Sequence, residues 1–189
     1  MLATMNHSLI VTENGPEVVE RQEAHAGEGD TLITLSHSSV NYKDAMALDG
    51  NRGILRELPM VPGIDAVGTL EDGTLVTVNG RGIGERRNGG YTSHMRIDAE
   101  NITRVPSRFP AYEAAAIGTA GYTAMLCVMA LQQNGVATDH GPVLVTGATG
   151  GVGSVAVALL ARLGYNVAAS TGKAGQGEFL RQLGAQQIV

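Results

Sequence analysis

Between residues 8 and 104 the apolar positions come in short bursts separated by polar or glycine-rich punctuation. Ser8–Thr12, Thr31–Leu35, Gly68–Leu70, Thr74–Val78 and Tyr91–Ile97 are β-rich and bounded by Gly, Asp, Asn or Pro, which predicts strands joined by tight turns. Strands of this kind fold as a small barrel or sandwich. A helical segment interrupts them at Tyr42–Leu48, with Asn41 as its cap and Ala45, Met46 and Leu48 as its apolar side. Beyond Pro110 the period changes. Helices are predicted over Ala111–Ile117 and Ala120–Gln133, the second ended by Asn134 and Gly135. A strand at Val143–Thr146, a helix at Gly151–Leu163, a strand at Tyr165–Ser170, a helix at Gly177–Leu183 and a last apolar fragment at Gln187–Val189 follow. Strand alternating with helix implies parallel pairing through right-handed crossovers. The fold class is therefore α/β with a β-rich N-terminal part, and a domain seam falls after Pro110.

Composition narrows the class. The chain has 189 residues, 43% hydrophobic and 16% charged, enough apolar surface for one or two packed domains. Thirteen Lys and Arg against 18 Asp and Glu give a net charge of −5, so no overall field draws the chain to nucleic acid or to an anionic membrane. The lone Cys127 excludes a disulfide framework and a cysteine zinc lobe, and a reducing cytoplasm is the expected location. Asn6, His7 and Glu13 interrupt any signal-peptide pattern, and no 18-residue apolar run occurs, so no membrane partner is expected.

The candidate chemistry centres on Val143–Gly153, an apolar strand running straight into a glycine-rich turn that a helix then follows. Gly147, Gly150 and Gly153 let bare N–H groups approach a pyrophosphate while the helix presents its positive end. Thr149, Gly150, Gly151, Val152 and Gly153 are the candidate cofactor contacts of this loop. The spacing is G-x-x-G-x-x-G rather than G-x-G-x-x-G, yet the strand before, the helix after and the second strand meet the context that a dinucleotide fingerprint requires. The loop also fits the T-G-x-x-x-G-x-G pattern of short-chain dehydrogenases, but no later Tyr-x-x-x-Lys follows it. After the second strand an acidic residue would hold the ribose 2′-hydroxyl of NAD. Here Ser170, Thr171, Gly172 and Lys173 offer hydroxyls and a cation suited to a 2′-phosphate, so NADPH is favoured over NADH; an ordinary polar turn is the alternative.

Asn41-Tyr-Lys-Asp44, Pro62-Gly-Ile-Asp65 with Gly68, Gly118-Thr-Ala-Gly-Tyr-Thr-Ala124 and the glycine loop, in that order, resemble the zinc-free quinone oxidoreductase branch of the medium-chain dehydrogenase/reductase superfamily. Ile117–Leu131 together with Thr146–Gly153 is most similar to its acryloyl-CoA reductase group. The resemblance implies a GroES-like catalytic domain over residues 1–115 and the first half of a Rossmann NADPH-binding domain over 116–189. It implies NADPH-dependent reduction of the C=C bond of an α,β-unsaturated acyl-CoA, acryloyl-CoA to propionyl-CoA. The alternatives are NADPH:quinone oxidoreduction and an inactive nucleotide-binding module. A small-molecule partner and a homodimer of the full-length protein are further implications.

Within that resemblance Tyr42 lies by the nicotinamide, orienting it or donating a hydrogen bond, with a packing tyrosine at a helix start as the alternative. Asn41 is the second catalytic candidate, for the substrate carbonyl. Lys43 and Asp44 pair or cap, and Asp65 stands where the family often carries a structural acid. Thr123, with Thr119, resembles a hydroxyl facing the nicotinamide, though helix capping serves equally well. The first zinc-ligand cysteine of metal-dependent relatives falls at Asn41–Tyr42, and His7, His25, His37, His94 and His140 lack ligand spacing, so no metal is expected. Arg86 and Arg87, with Arg81 in the loop Gly80–Gly90, are candidates for the phosphates of coenzyme A. Relatives continue beyond a third strand, and a chain holding only strands in the order 3-2-1 is expected to lack half of the cofactor crevice and to leave the edge of its first strand unpaired.

Overall fold

The computed structural model describes residues 5–22 and 27–189, apart from the side chains of Arg21 and Gln22; His25 lies outside the described residues. The chain divides into two compact units, Met1–Thr119 and Ala120–Val189.

In the first unit, strands β1 (Met5–Thr12) and β2 (Gly15–Gln22) form an antiparallel hairpin. Strands β3 (Thr31–His37), β4 (Asp65–Thr69), β5 (Leu75–Asn79), β6 (His94–Ile97) and β7 (Thr103–Arg104) form an antiparallel sheet in the order β6-β3-β4-β5-β7. Helix α1 (Tyr42–Leu48) leaves β3 where the pattern of Ala45, Met46 and Leu48 places it. The hairpin partner β2 and the short β7 do not show in the hydrophobic pattern. Pro16, Glu17, Glu20 and Arg21 break up the alternation of β2, whose Val18 is 76% exposed, and its pairing comes from the turn at Glu13 and Asn14. Ile33, Ala66, Val76, Val78, Ile83, Met95 and Ile97 fill the sheet's core, with a second apolar cluster of Val11, Ala47, Leu55 and Met60 under α1. The whole run Val61–Gly68 is buried, which carries Asp65 into the interior.

Helix α2 (Ala111–Gln133) is a single span in hydrogen bonding but breaks at Gly118, whose φ of 43° and ψ of −158° lie outside the helical region. A Cβ there would sit 2.8 Å from Asp65 Oδ2. The two helices expected from the sequence thus abut at this residue, which is glycine for backbone and steric reasons together. By length and mean hydropathy (1.7) α2 passes for a membrane span. The break leaves neither half at the ~20 residues that a span needs.

In the second unit β8 (Val143–Val145), α3 (Gly151–Arg162), β9 (Val167–Ala169), α4 (Gly177–Gln182) and β10 (Gln187–Ile188) alternate, and the parallel sheet has the order β10-β9-β8. This is the expected 3-2-1 order, with β8 at one edge. Val128, Val157, Leu160, Tyr165, Val167, Ala169 and Leu180 form its core. Leu144 on the edge strand is 57% exposed, and an apolar groove of about 490 Å³ runs along that edge between Cys127, Leu131, Val143–Gly147 and Val152.

Candidate functional site

The glycine loop follows β8 directly. Gly150 caps α3 in extended conformation, so the amides of Gly151, Val152 and Gly153 occupy the helix's first turn, where no intrahelical acceptor exists. Gly147 has a φ of 58° and its carbonyl accepts from Gly150 N (2.9 Å), which closes the turn. A Cβ on Gly153 would lie 2.3 Å from the Gly147 carbonyl oxygen, so only glycine lets the helix start pack against the loop. Gly150, Gly151 and Val152 are exposed, and Thr149 is half-buried. The arrangement presents N–H groups without intrahelical acceptors at the positive end of a helix dipole.

The segment after β9 reaches this loop. Thr149 Oγ1 and Thr171 Oγ1 are 3.1 Å apart and share a hydrogen bond, and Lys173 N donates to Thr171 Oγ1 at 3.2 Å. Ser170 and its carbonyl tie the segment to the sheet: Ser170 N donates to Val145 O (2.8 Å), and its carbonyl accepts from Ala148 N (3.0 Å). Gly172 and Lys173 are exposed, leaving the ammonium accessible. Thr149, the glycine loop and Ser170–Lys173 therefore form one continuous polar rim within the second unit. Thr123 sits half-buried on the later part of α2.

In the first unit Tyr42 opens α1 with its side chain 83% exposed. Its neighbours are all held. Lys43 Nζ lies 2.5 Å from Glu85 Oε1. Asp44 is fully buried; its Oδ2 accepts from Asn41 N (2.8 Å) and its Oδ1 from Ile64 N (2.9 Å). Asn41 Nδ2 lies 3.0 Å from Asp44 Oδ2, 3.0 Å from Asp65 Oδ2 and 2.8 Å from Ser39 Oγ. Asp65, 1% exposed, accepts at Oδ1 from Thr119 N (2.8 Å) and Thr119 Oγ1 (2.7 Å), and at Oδ2 from Ser39 Oγ as well as Asn41. Two buried carboxylates thus share one asparagine amide. Tyr91 donates to Ser39 O at 3.1 Å, and burial, with the Asp44 charge next in weight, pushes its phenol up to about 12.

Sequence reasoning singled out Asn41, Tyr42, Asp44 and Asp65 but not the network joining them, nor Ser39 and Thr119 as its other members. One signal was available: an acid standing inside the unbroken apolar run Ile64-Asp-Ala-Val67 is costly to bury unless its oxygens are satisfied. Arg86 and Arg87 line a groove of about 380 Å³ with Glu28, Glu57 and Asp98, and Arg87 Nη1 lies 3.7 Å from Asp98 Oδ2. The arginines are exposed, but carboxylates surround them and offset the positive field that a coenzyme A phosphate would meet. Among the described residues no group of three or more His, Cys, Asp or Glu side chains is placed to hold a metal ion.

No family model matches the chain. It is 46% identical over 169 residues to the acrylyl-CoA reductase AcuI of Ruegeria pomeroyi, covering 85% of this chain and 51% of that protein. Against the putative quinone oxidoreductase YhfP of Bacillus subtilis it is 40% identical over 166 residues, 84% of this chain and 50% of the relative. The crystal structure of YhfP with NAD bound superposes with a TM-score of 0.93 at 36% identity, over 99% of this chain and 60% of that one. The structure of Escherichia coli YhdH with bound NADPH gives 0.91 at 42% identity, over 96% and 60%. The chain spans about half the length of the curated relatives it matches. Sequence and fold agree that this chain belongs to the medium-chain dehydrogenase/reductase superfamily, in the group that holds the acrylyl-CoA reductases and quinone oxidoreductases.

Proposed function

We propose that the protein carrying this sequence is an NADPH-dependent oxidoreductase that reduces the C=C bond of an α,β-unsaturated acyl-CoA, acryloyl-CoA to propionyl-CoA. The observation that carries the reading is the likeness to AcuI over 85% of the chain, joined to a loop whose amides suit a dinucleotide. Residues 1–115 supply a GroES-like catalytic portion and residues 116–189 the first half of a Rossmann domain.

The residues of the second unit fit the cofactor. The amides of Gly151, Val152 and Gly153 bind the pyrophosphate, and the close approach that demands glycine at 153 is the one such a cradle needs. Thr149 positions Thr171, and Ser170, Thr171 and Lys173 take the 2′-phosphate, Lys173 as a point charge. Bound NADPH supplies a hydride for the β-carbon of the substrate. Tyr42, 83% exposed, orients the nicotinamide or donates a hydrogen bond. Arg86 is the better of the two arginines for a coenzyme A phosphate, because Arg87 already faces Asp98. Quinone reduction is the second reading, favoured by the likeness to YhfP.

Following NADPH consumption with acryloyl-CoA and with a benzoquinone in parallel tests both. Faster turnover, as kcat/KM, of the thioester supports acyl-CoA reduction; a preference for the quinone overturns it. Lys173→Ala should weaken NADPH about ten-fold relative to NADH, and an unchanged ratio of the two affinities would remove Lys173 from the phosphate site.

A further inference from the structure

We infer that Asn41 and Asp65 are positioning residues: two buried carboxylates, Asp44 and Asp65, hold through Asn41 the backbone that presents Tyr42. The inference rests on the reading of Tyr42 as a ligand-facing residue and assigns Asn41 a role other than polarising the substrate carbonyl.

The hydrogen count decides the role of Asn41. Its amide nitrogen carries two hydrogens, and three acceptors already stand within 3.0 Å of it: Ser39 Oγ, Asp44 Oδ2 and Asp65 Oδ2. No hydrogen is left for a substrate oxygen, and the amide oxygen, an acceptor, cannot stabilise developing negative charge. Asn41 is a tie between two acids.

Among the described residues the hydrogen-bond partners of Asp44 and Asp65 are backbone amides, hydroxyls and Asn41, with no Lys, Arg or His. Burying two such groups costs free energy that only a full set of donors offsets, and a satisfied network of this kind admits one arrangement of the backbone. Tyr42 has little packing of its own to fix it, being 83% exposed. Its place is set by its neighbours, Asn41 and Asp44 in the acid network and Lys43 on Glu85. The same Asp65 carboxylate grips Thr119 through both its amide and its hydroxyl, 54 positions along the chain. One buried acid therefore sets the two segments together.

The test needs a readout independent of turnover. In the protein without substrate or cofactor, Asp65→Asn should speed amide hydrogen exchange across residues 39–44 by about ten-fold or more and leave strand β6 unchanged. Should Asp65→Asn fail to fold, Thr119→Val, which removes one donor to Asp65 and keeps the amide, should speed the same segment. Unchanged exchange at 39–44 overturns the inference. In turnover assays Asp65→Asn should lower kcat about ten-fold with KM for NADPH moving less than about two-fold, and the loss should shrink below about two-fold in a Tyr42→Phe background. Equal losses in both backgrounds overturn it. A wild-type protein without reductase activity would refute the proposed function alone, and the exchange measurement would still decide the positioning role.

Discussion

Among the described residues the buried side chains of Asn6, Ser8, Asp44 and Asp65 all lie in the first unit, whereas the core of the second, from Val128 to Ala185, is apolar but for the hydroxyl of Tyr165. In the first unit the buried polar groups tie distant segments: Asn6 Oδ1 accepts from Thr92 Oγ1, Ser93 Oγ and His94 N, and Asp65 joins residues 39–41 to Thr119. In the second unit Thr149, Thr171 and Lys173 sit on the rim, and the inner polar groups make local ties: Tyr165 donates to Val136 O (2.8 Å) and Gln186 Oε1 accepts from Val167 N (2.6 Å). The difference teaches where each unit can afford change. A sheet of five short strands with many connections needs directional bonds to fix its loops, while parallel strands joined by helices are fixed mainly by shape and apolar burial.

The comparison breaks most visibly under large-to-small substitution. Leu180→Ala in the apolar core of residues 120–189, at a fully buried position, should destabilise that unit by about 2–5 kcal/mol, read from denaturant or thermal unfolding. A loss well below 2 kcal/mol would mean that apolar packing is not what holds it. Asp44→Ala should cost the first unit roughly 1–3 kcal/mol by stranding the amides of Asn41 and Ile64, with little effect on the second. A neutral outcome there would remove the contrast between the units.

Alkaline titration sharpens the contrast further. The phenol of Tyr91 is raised from 10.0 to about 12 in the folded protein, first by burial and then by the Asp44 carboxylate. A raised folded value means the folded state holds its proton longer than the unfolded chain. The contribution is therefore whole below pH 10 and is lost as the pH rises toward about 12. Tyr91→Phe should flatten this part of the stability profile of the first unit, and an unchanged slope would sink the assignment. The smallest effect belongs to Lys43 and Glu85, a pair left 42% and 29% exposed: Glu85→Gln should cost at most about 1 kcal/mol, and less in high salt.

Much of the fold was legible in the pattern. Helix α1 begins and ends where Asn41 and the apolar side of Ala45, Met46 and Leu48 put it, and β8, α3, β9, α4 and β10 follow the alternation of periods in order. Strand β2 was not, because its charged, exposed residues carry no period-two signal and its pairing with β1 is set by a turn. The glycine loop was legible because glycine spacing, strand and helix are all local. The acid network was not, because its bonds join Ser39, Asp65 and Thr119 across as many as 54 positions.

By itself, then, the sequence determined what depends on neighbours in the chain: the two periods, the helix cap at Asn41, the glycine loop at 147–153 and the hydroxyl-and-lysine segment at 170–173. Tertiary structure alone decided which donors meet which acceptors. Asn41 was an open choice between substrate and structure until folding brought Asp44 and Asp65 within 3.0 Å of its amide and used its hydrogens. The physical reason is that a side chain's chemistry is what remains after its hydrogen bonds are made, and in this network those bonds join residues far apart in sequence.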